Sequence, residues 1–304
     1  MRMEEQKVRS GFVVLVGRPN VGKSTLMNHL VGQKIAITSR KPQTTRNRIR
    51  CVYNEERGQI VFLDTPGMHQ ARNKLGEYMV HAIRQALRDA DAVLWLVEPE
   101  EHVGAGDRSI AEMLEKAGLP TILIVNKADK VKKEIVQKAM DSHRRLCRFE
   151  DVLAVSALHG RNLDGLIESL FRVLPYGPRF FSEDTITDQP VRQIAAEIIR
   201  EKALRSLGEE VPHGIAVLIN KMKTRRDRPI TDIEAEIICE RDSHKGIIIG
   251  KNGTMLKKIG SEARPEIEDL TEGQVNLRLW VKVRKNWRER DVLLKNYGYD
   301  IKEE

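Results

Sequence analysis

The sequence predicts an α/β domain, with a mostly parallel sheet and helices on both faces, followed by a smaller α+β domain. Three observations predict it. From residue 11 to about 174, short apolar runs alternate with stretches of helical period, the pattern of a parallel sheet covered on both sides. At 174–190 the stretch "LPYGPRFFSEDTITDQP" breaks that pattern with three prolines and a glycine. Beyond it the order becomes helix, two strands, two helices and a strand. A chain of 304 residues also exceeds what one small core usually serves.

In the first domain the predicted strands are 12–16, 60–63, 92–97, 121–125 and 152–155. The helical stretches between them are 24–31, 75–89, 107–117, 134–147 and 163–173. The domain is assigned to 1–177, a linker to 178–189 and the second domain to 190–304. That domain opens with a helix over about 190–207, whose stripe is Val191, Ile194, Ala195, Ile198, Ile199 and Leu207. Strands at 214–222 and 230–240 flank an exposed hairpin loop, "TRRDRP". Two helices interrupted by glycines follow, then a strand at 275–283 and a short helix around 288–295.

Composition narrows the function classes. No apolar run approaches the roughly 20 residues of a membrane-spanning helix, and the charged start "MRMEEQKVRSGF" lacks a signal-peptide core. The expectation is a soluble protein of the cell interior. Cys51, Cys147 and Cys239 have no paired spacing, which argues against a zinc site or disulfide framework. A net charge of +8 points toward a polyanionic partner, nucleic acid or an anionic membrane face.

"GRPNVGKS", 17–24, follows a strand and precedes a helix, the context a phosphate-binding loop requires. Its glycines turn backbone N–H groups inward, and the helix N-terminus adds positive potential. The predicted contacts are Gly17, Arg18, Pro19, Asn20, Val21, Gly22, Lys23, Ser24 and Thr25, with Lys23 on the β- and γ-phosphates and Ser24 on Mg²⁺. "DTPG" ends another strand. Asp64 is placed to hold Mg²⁺, generally through water, and Gly67 to sense the γ-phosphate, with Thr65, Pro66 and Met68 alongside. "NKAD" supplies Asn126, Lys127 and Asp129, whose carboxylate accepts from guanine's ring N–H and amine and is left unpaired by adenine. "VSAL" supplies Ser156, Ala157 and Leu158, with the Ala157 N–H offered to the guanine oxygen. "KPQTTRNR", 41–48, brings Thr44 and Thr45, of which Thr45 is the favoured metal ligand. Four motifs in this order around the phosphate loop predict a P-loop GTPase domain with Mg²⁺ and GTP or GDP, in which Lys23, Thr45, Gly67 and Asn20 carry the chemistry.

Met68 stands where Ras-like enzymes have a water-orienting glutamine, so slow intrinsic hydrolysis is expected. Asn20 resembles the loop asparagine that holds K⁺ in some related GTPases; a partner's group is the alternative. His69 is adjacent but more often scaffolding than base.

A second glycine-lysine loop, "GKNG" at 250–253, lacks the phosphate-loop spacing and sits between helices. The αββααβ order with G-x-x-G there resembles a type II KH domain, which grips the backbone of single-stranded RNA. The residues assigned are Gly250, Lys251, Asn252 and Gly253 of the loop, Ile247, Ile248 and Ile249 before it, and Lys245, Lys257 and Lys258 beside it.

Together "GRPNVGKST", "SRKPQTTR" and "DTPG", with "ITDQPVRQIAAEIIREK" (186–202), "GIIIGKNGTMLKKIG" (246–260) and "LRLWVKVRKNW" (277–287), resemble the Era family of bacterial ribosome-assembly GTPases over nearly the whole chain. The resemblance implies binding of the 3′ region of small-subunit (16S) ribosomal RNA and action in 30S subunit maturation. It also implies a cytoplasmic monomer with a fraction bound peripherally to the anionic inner membrane. A membrane signalling switch and an RNA-modifying enzyme are the competing classes. The second lacks any cysteine or cofactor site to serve it.

Overall fold

The computed structural model describes residues 8–300 except 40, 42, 69, 70 and 209. His69 therefore lies outside the described residues. In chain order the first domain comprises β1 (Arg9–Val16), α1 (Lys23–Val31), β2 (Ile49–Glu55), β3 (Gly58–Asp64), α2 (Lys74–Arg88), β4 (Ala92–Val97), α3 (Ala105–Ala117), β5 (Thr121–Val125), α4 (Lys133–Arg144), β6 (Asp151–Ala154) and α5 (Leu163–Val173). The second comprises α6 (Val191–Ser206), β7 (Ala216–Thr224), β8 (Ile230–Cys239), α7 (Asp242–Ile249), α8 (Thr254–Thr271), β9 (Gln274–Val283) and α9 (Asp291–Asn296).

The first sheet has six strands in the order β2-β3-β1-β4-β5-β6. Every residue of β4 is buried, because helices cover both faces of this central strand and leave no polar side to alternate with. Only β2 runs antiparallel. It is a strand that the sequence did not predict: Arg50 and Asn54 interrupt its apolar run, and it follows a long irregular segment. Its pairing with β3 gives the sheet an edge where backbone groups remain open.

The linker occupies that edge. Val52 N–H donates to Ile186 O at 2.8 Å, and the Thr187 hydroxyl donates to Arg50 O at 2.6 Å. Gln59 accepts from the amides of Phe180 and Phe181 at 2.8 and 3.0 Å. Turn-forming composition marked a boundary, but these bonds hold the segment along the first domain.

The second sheet has the order β7-β8-β9, antiparallel then parallel, with α6 and α8 packed on it. Two predicted elements differ. Val191 is 44% exposed rather than part of the apolar stripe, because it sits on the first turn where α6 emerges from the linker. The predicted C-terminal helix is a 3₁₀ turn at Trp287–Glu289 and then α9, interrupted at Arg290.

The two domains share a core. Leu75, Tyr78 and Met79 of α2 pack with Ala216, Ile238, Trp287, Leu294 and Tyr299 of the second domain. Trp287 is fully buried and its indole N–H donates to Gly214 O at 2.9 Å. We expect Trp287→Ala to destabilise the protein by about 3–5 kcal/mol through the cavity it leaves. A lowered urea midpoint, with earlier protease cleavage between the domains, checks this.

Candidate functional site

Two hollows lie at the carboxyl ends of the parallel strands, where open α/β sheets bind ligands. The first is built by the turn between β1 and α1. Gly22 has φ 103°, and a Cβ there would come within 2.2 Å of Asn126 Nδ2, so a larger residue would push the base-side motif away from the loop. Lys23 is 6% exposed and its ammonium curls back to Gly17 O and Arg18 O, each at 3.2 Å. Those carbonyls stand in for phosphate oxygens. Burial pulls the Lys23 amine down to about 8, although Asp64 opposes the shift.

Ser24 Oγ donates to Asp64 Oδ2 at 2.6 Å, and Thr45 Oγ1 lies 3.2 Å from the same oxygen and 2.9 Å from Ser24 Oγ. Thr44 also lines the hollow, but its hydroxyl is taken up by Lys41 O at 2.7 Å. Asp64 is fully buried, burial pushes its carboxyl above the usual range, and its Oδ1 has no hydrogen-bond partner among the described residues. Three oxygens from three segments, one an under-compensated carboxylate, fit a hard divalent cation such as Mg²⁺.

Other predicted contacts serve the frame. Val21 is 1% exposed with its side chain in the core, and its carbonyl accepts from Asn126 at 2.8 Å. The buried Thr65 hydroxyl donates to Leu15 O at 2.7 Å, tying β3 to β1, and Pro66 is buried beside it. Neither lines the hollow. Arg18 faces away toward Glu100 and Asp107, at 3.1 and 3.2 Å. Pro19, Asn20, Thr25 and Gly67 do line the hollow, with Gly67 packed against Pro19. Asn20 O accepts from Lys127 Nζ at 2.7 Å. Met68 packs its side chain on the core while its N–H donates to Gly17 O at 3.1 Å.

The second hollow, about 640 Å³, is lined by Asn126, Lys127, Asp129, Ala157 and Leu158 among others. Ser156 holds the Asp129 carboxyl below the usual range, with His159 at 3.6 Å assisting. The Ala157 N–H is not open for a ligand: it donates to Asn126 Oδ1 at 3.0 Å. Asn126 is a buried amide that needs partners for both ends, and it takes Val21 O and Ala157 N–H. Sequence reasoning missed Ile37, Thr38, Ser39 and Gln43 around the first hollow, and Lys41 with Arg205 around the second. Proximity to "KPQTTR" was a usable signal for most of these. Arg205 belongs to α6, and no spacing rule reaches it.

In the second domain the chain turns between α7 and α8 through residues with positive φ: Gly250 (72°), Asn252 (52°) and Gly253 (78°). Lys251 and Asn252 are exposed at the tip, with Lys245, Lys257 and Lys258 exposed on the flanking helices. Ile248 is fully buried, Ile249 half-buried, and Ile247 49% exposed. One isoleucine thus serves the core, and another faces outward beside the basic loop.

The family described as "50S ribosome-binding GTPase" matches residues 12–127, and the KH domain family matches 210–288. The chain is 52% identical to GTPase Era of Clostridioides difficile over 295 residues, covering 97% of this chain and 99% of that protein. The chain belongs to the Era family of GTPases. GTPase Era of Caldanaerobacter subterraneus is likewise 52% identical, over 96% of this chain and 98% of that protein. Two solved Era structures match with a TM-score of 0.93 and 41% identity over 96% of this chain. One, covered to 99%, is Era with MgGDPNP and nucleotides 1506–1542 of 16S ribosomal RNA. The other, covered to 100%, is a variant of Aquifex aeolicus Era with GDP·AlF4⁻.

For this Era GTPase, a bound phosphate would restore the charge on Lys23, so nucleotide binding must take up a proton wherever the free amine is neutral. The sign follows from a pKa lowered to about 8 in the free protein: uptake is absent at pH 6.5 and a large fraction of a proton at pH 8.5. Calorimetry of GDP binding in buffers of different ionisation enthalpy measures it.

Proposed function

We propose that this chain is a GTP-binding and GTP-hydrolysing switch that binds the 3′ region of 16S ribosomal RNA through its KH domain and acts in 30S subunit assembly. The observation that carries this is the pairing, in one molecule, of the Ser24–Thr45–Asp64 cluster with the basic 250–253 turn. The match to an Era bound to that RNA supplies the RNA's identity.

Ser24, Thr45 and Asp64 would hold Mg²⁺, which draws charge from the β- and γ-phosphates as they react. The other tasks belong to the chain itself. Lys23 binds the terminal phosphates, and the backbone of 17–22 cradles them. The Asp129 carboxylate, already held in its ionised form, accepts the guanine N–H groups. Gly67, against Pro19, places its backbone where the γ-phosphate ends. With Met68 packed on the core, no side chain at that position orients the attacking water, and intrinsic hydrolysis is slow. Asn20, which lines the phosphate hollow, would hold K⁺, whose charge would serve in place of an arginine. If single-turnover hydrolysis runs equally fast in Na⁺ and K⁺, this role for Asn20 is wrong.

In the KH domain, Gly250 and Gly253 let the turn approach a phosphodiester backbone, while Lys251, Asn252 and the flanking lysines donate to it. Ile247 packs against unstacked bases. The protein acts as a cytoplasmic monomer with a peripheral fraction on the anionic inner membrane, and the +8 charge supports the membrane contact. Gly253 has open space around its Cβ position but φ 78°; aspartate is among the residues that enter this left-handed region at least cost, so Gly253→Asp strains the turn only locally and adds a negative charge there. We expect it to weaken binding of a 16S 3′-end RNA by tenfold or more with GTP binding unchanged; filter binding measures both.

A further inference from the structure

The middle of α6 contradicts its own sequence pattern. Arg200 and Glu201 are fully buried and Lys202 is 4% exposed, although all three are charged. Buried charges persist only where they are paired and hydrogen-bonded. The partners of Arg200 and Glu201 lie largely on the other domain, in the segment that carries Thr45.

Glu201 Oε1 accepts from the Thr38 amide at 2.7 Å, and its Oε2 accepts from Lys34 Nζ at 2.6 Å. Arg205, one turn further along α6, donates to Thr38 O at 3.0 Å and to Glu201 Oε1 at 3.1 Å. Arg200 is clamped by Glu197, Nε to Oε1 at 2.8 Å, and donates across the interface to Thr44 O. Arg46 is 1% exposed and enters the second domain, where it donates to Ile215 O at 2.6 Å and His213 O at 3.0 Å. Lys41 donates to Leu207 O.

Thr45 lies between two of these anchors. The residue before it is held through its carbonyl by Arg200, and the residue after it through its guanidinium. With the Thr44 carbonyl held by Arg200 and Arg46 anchored in the second domain, the Thr45 hydroxyl is held onto Ser24 and Asp64.

We propose that Arg200 and Glu201 of α6 are positioning residues for the nucleotide site, so that the RNA-binding domain holds Thr45 in place and sets the preference for GTP over GDP. This rests on the GTPase reading above and adds its direction: the second domain supplies part of the first domain's switch. Thr45 meets the metal only when a γ-phosphate is present. Loosening the anchors should consequently weaken triphosphate binding and spare diphosphate. If the anchors also carry the coupling, the factor by which RNA tightens GTP binding and the factor by which GTP tightens RNA binding should fall together, since linkage makes them equal.

The test measures dissociation constants of the full-length protein for a fluorescent non-hydrolysable GTP analogue and for GDP, in wild type, Arg200→Ala, Arg200→Lys and Glu201→Gln. We expect Arg200→Ala and Glu201→Gln to bind the GTP analogue at least tenfold more weakly. GDP binding should change less than twofold, and Arg200→Lys should recover part of the loss. Analogue and GDP affinities that fall together indicate a merely structural role and overturn the proposal, as do unchanged ratios. Because Glu201→Gln keeps the shape and removes only the charge, it stays informative if Arg200→Ala does not fold. A wild-type protein that fails to bind the GTP analogue would instead refute the GTPase reading itself.

Discussion

Asp64 brings a carboxylate to zero exposure at the end of β3, where an unpaired charge costs several kcal/mol. The surrounding structure answers that charge incompletely. Ser24 comes from the start of α1, Thr45 from the segment before β2, and the Lys23 ammonium is near enough to oppose the rise in the Asp64 pKa. Burial nevertheless keeps both groups away from their ordinary ionisation, Asp64 raised and Lys23 lowered. A site left in this condition gains most from a ligand that brings a cation and anionic oxygens together, as a metal-bound nucleotide does.

Thr45 reaches Asp64 only because the chain on either side of it is held elsewhere. The holding groups belong to α6 and the 211–215 turn, both parts of the second domain. Apolar packing, with the exposed Lys74–Asp291 ion pair beside it, joins α2 to Trp287, Leu294 and Tyr299, and contacts of that kind tolerate small displacements. The buried polar contacts through Arg46, Arg200 and Glu201 do not, since each misplaced donor or acceptor loses its partner away from water. The polar contacts thus give the domain interface its specificity.

Much of the architecture was legible. Apolar runs of strand length located β1, β3, β4 and β5, because strands buried on both faces are continuously apolar; β6, an edge strand with only Val152 buried, was found from its short apolar run. β2 escaped, since an edge strand keeps polar residues such as Arg50 and Asn54 on its open side. α6 was found as a helix, and its stripe is buried except at Val191; the burial of Arg200, Glu201 and Lys202 escaped, because periodicity records polarity without recording what pairs with it. Within the nucleotide site the motifs named the segments correctly but blurred tasks inside them. Thr65 and Val21 sit in motifs, yet their side chains serve the frame.

Local chemistry is what the sequence determined by itself. A glycine-rich turn before a lysine and serine, an aspartate at a strand end, and a G-x-x-G turn between helices each specify a backbone shape and a set of donors, and they do so within a few residues. The tertiary structure decided everything that depends on distant partners. It turned Thr45 rather than Thr44 toward the metal site, engaged the Ala157 amide with Asn126, and brought Arg205 to the base cleft. The physical reason is that hydrogen bonds and ion pairs act over about 3 Å, whereas the residues they join here lie up to 253 positions apart in the chain.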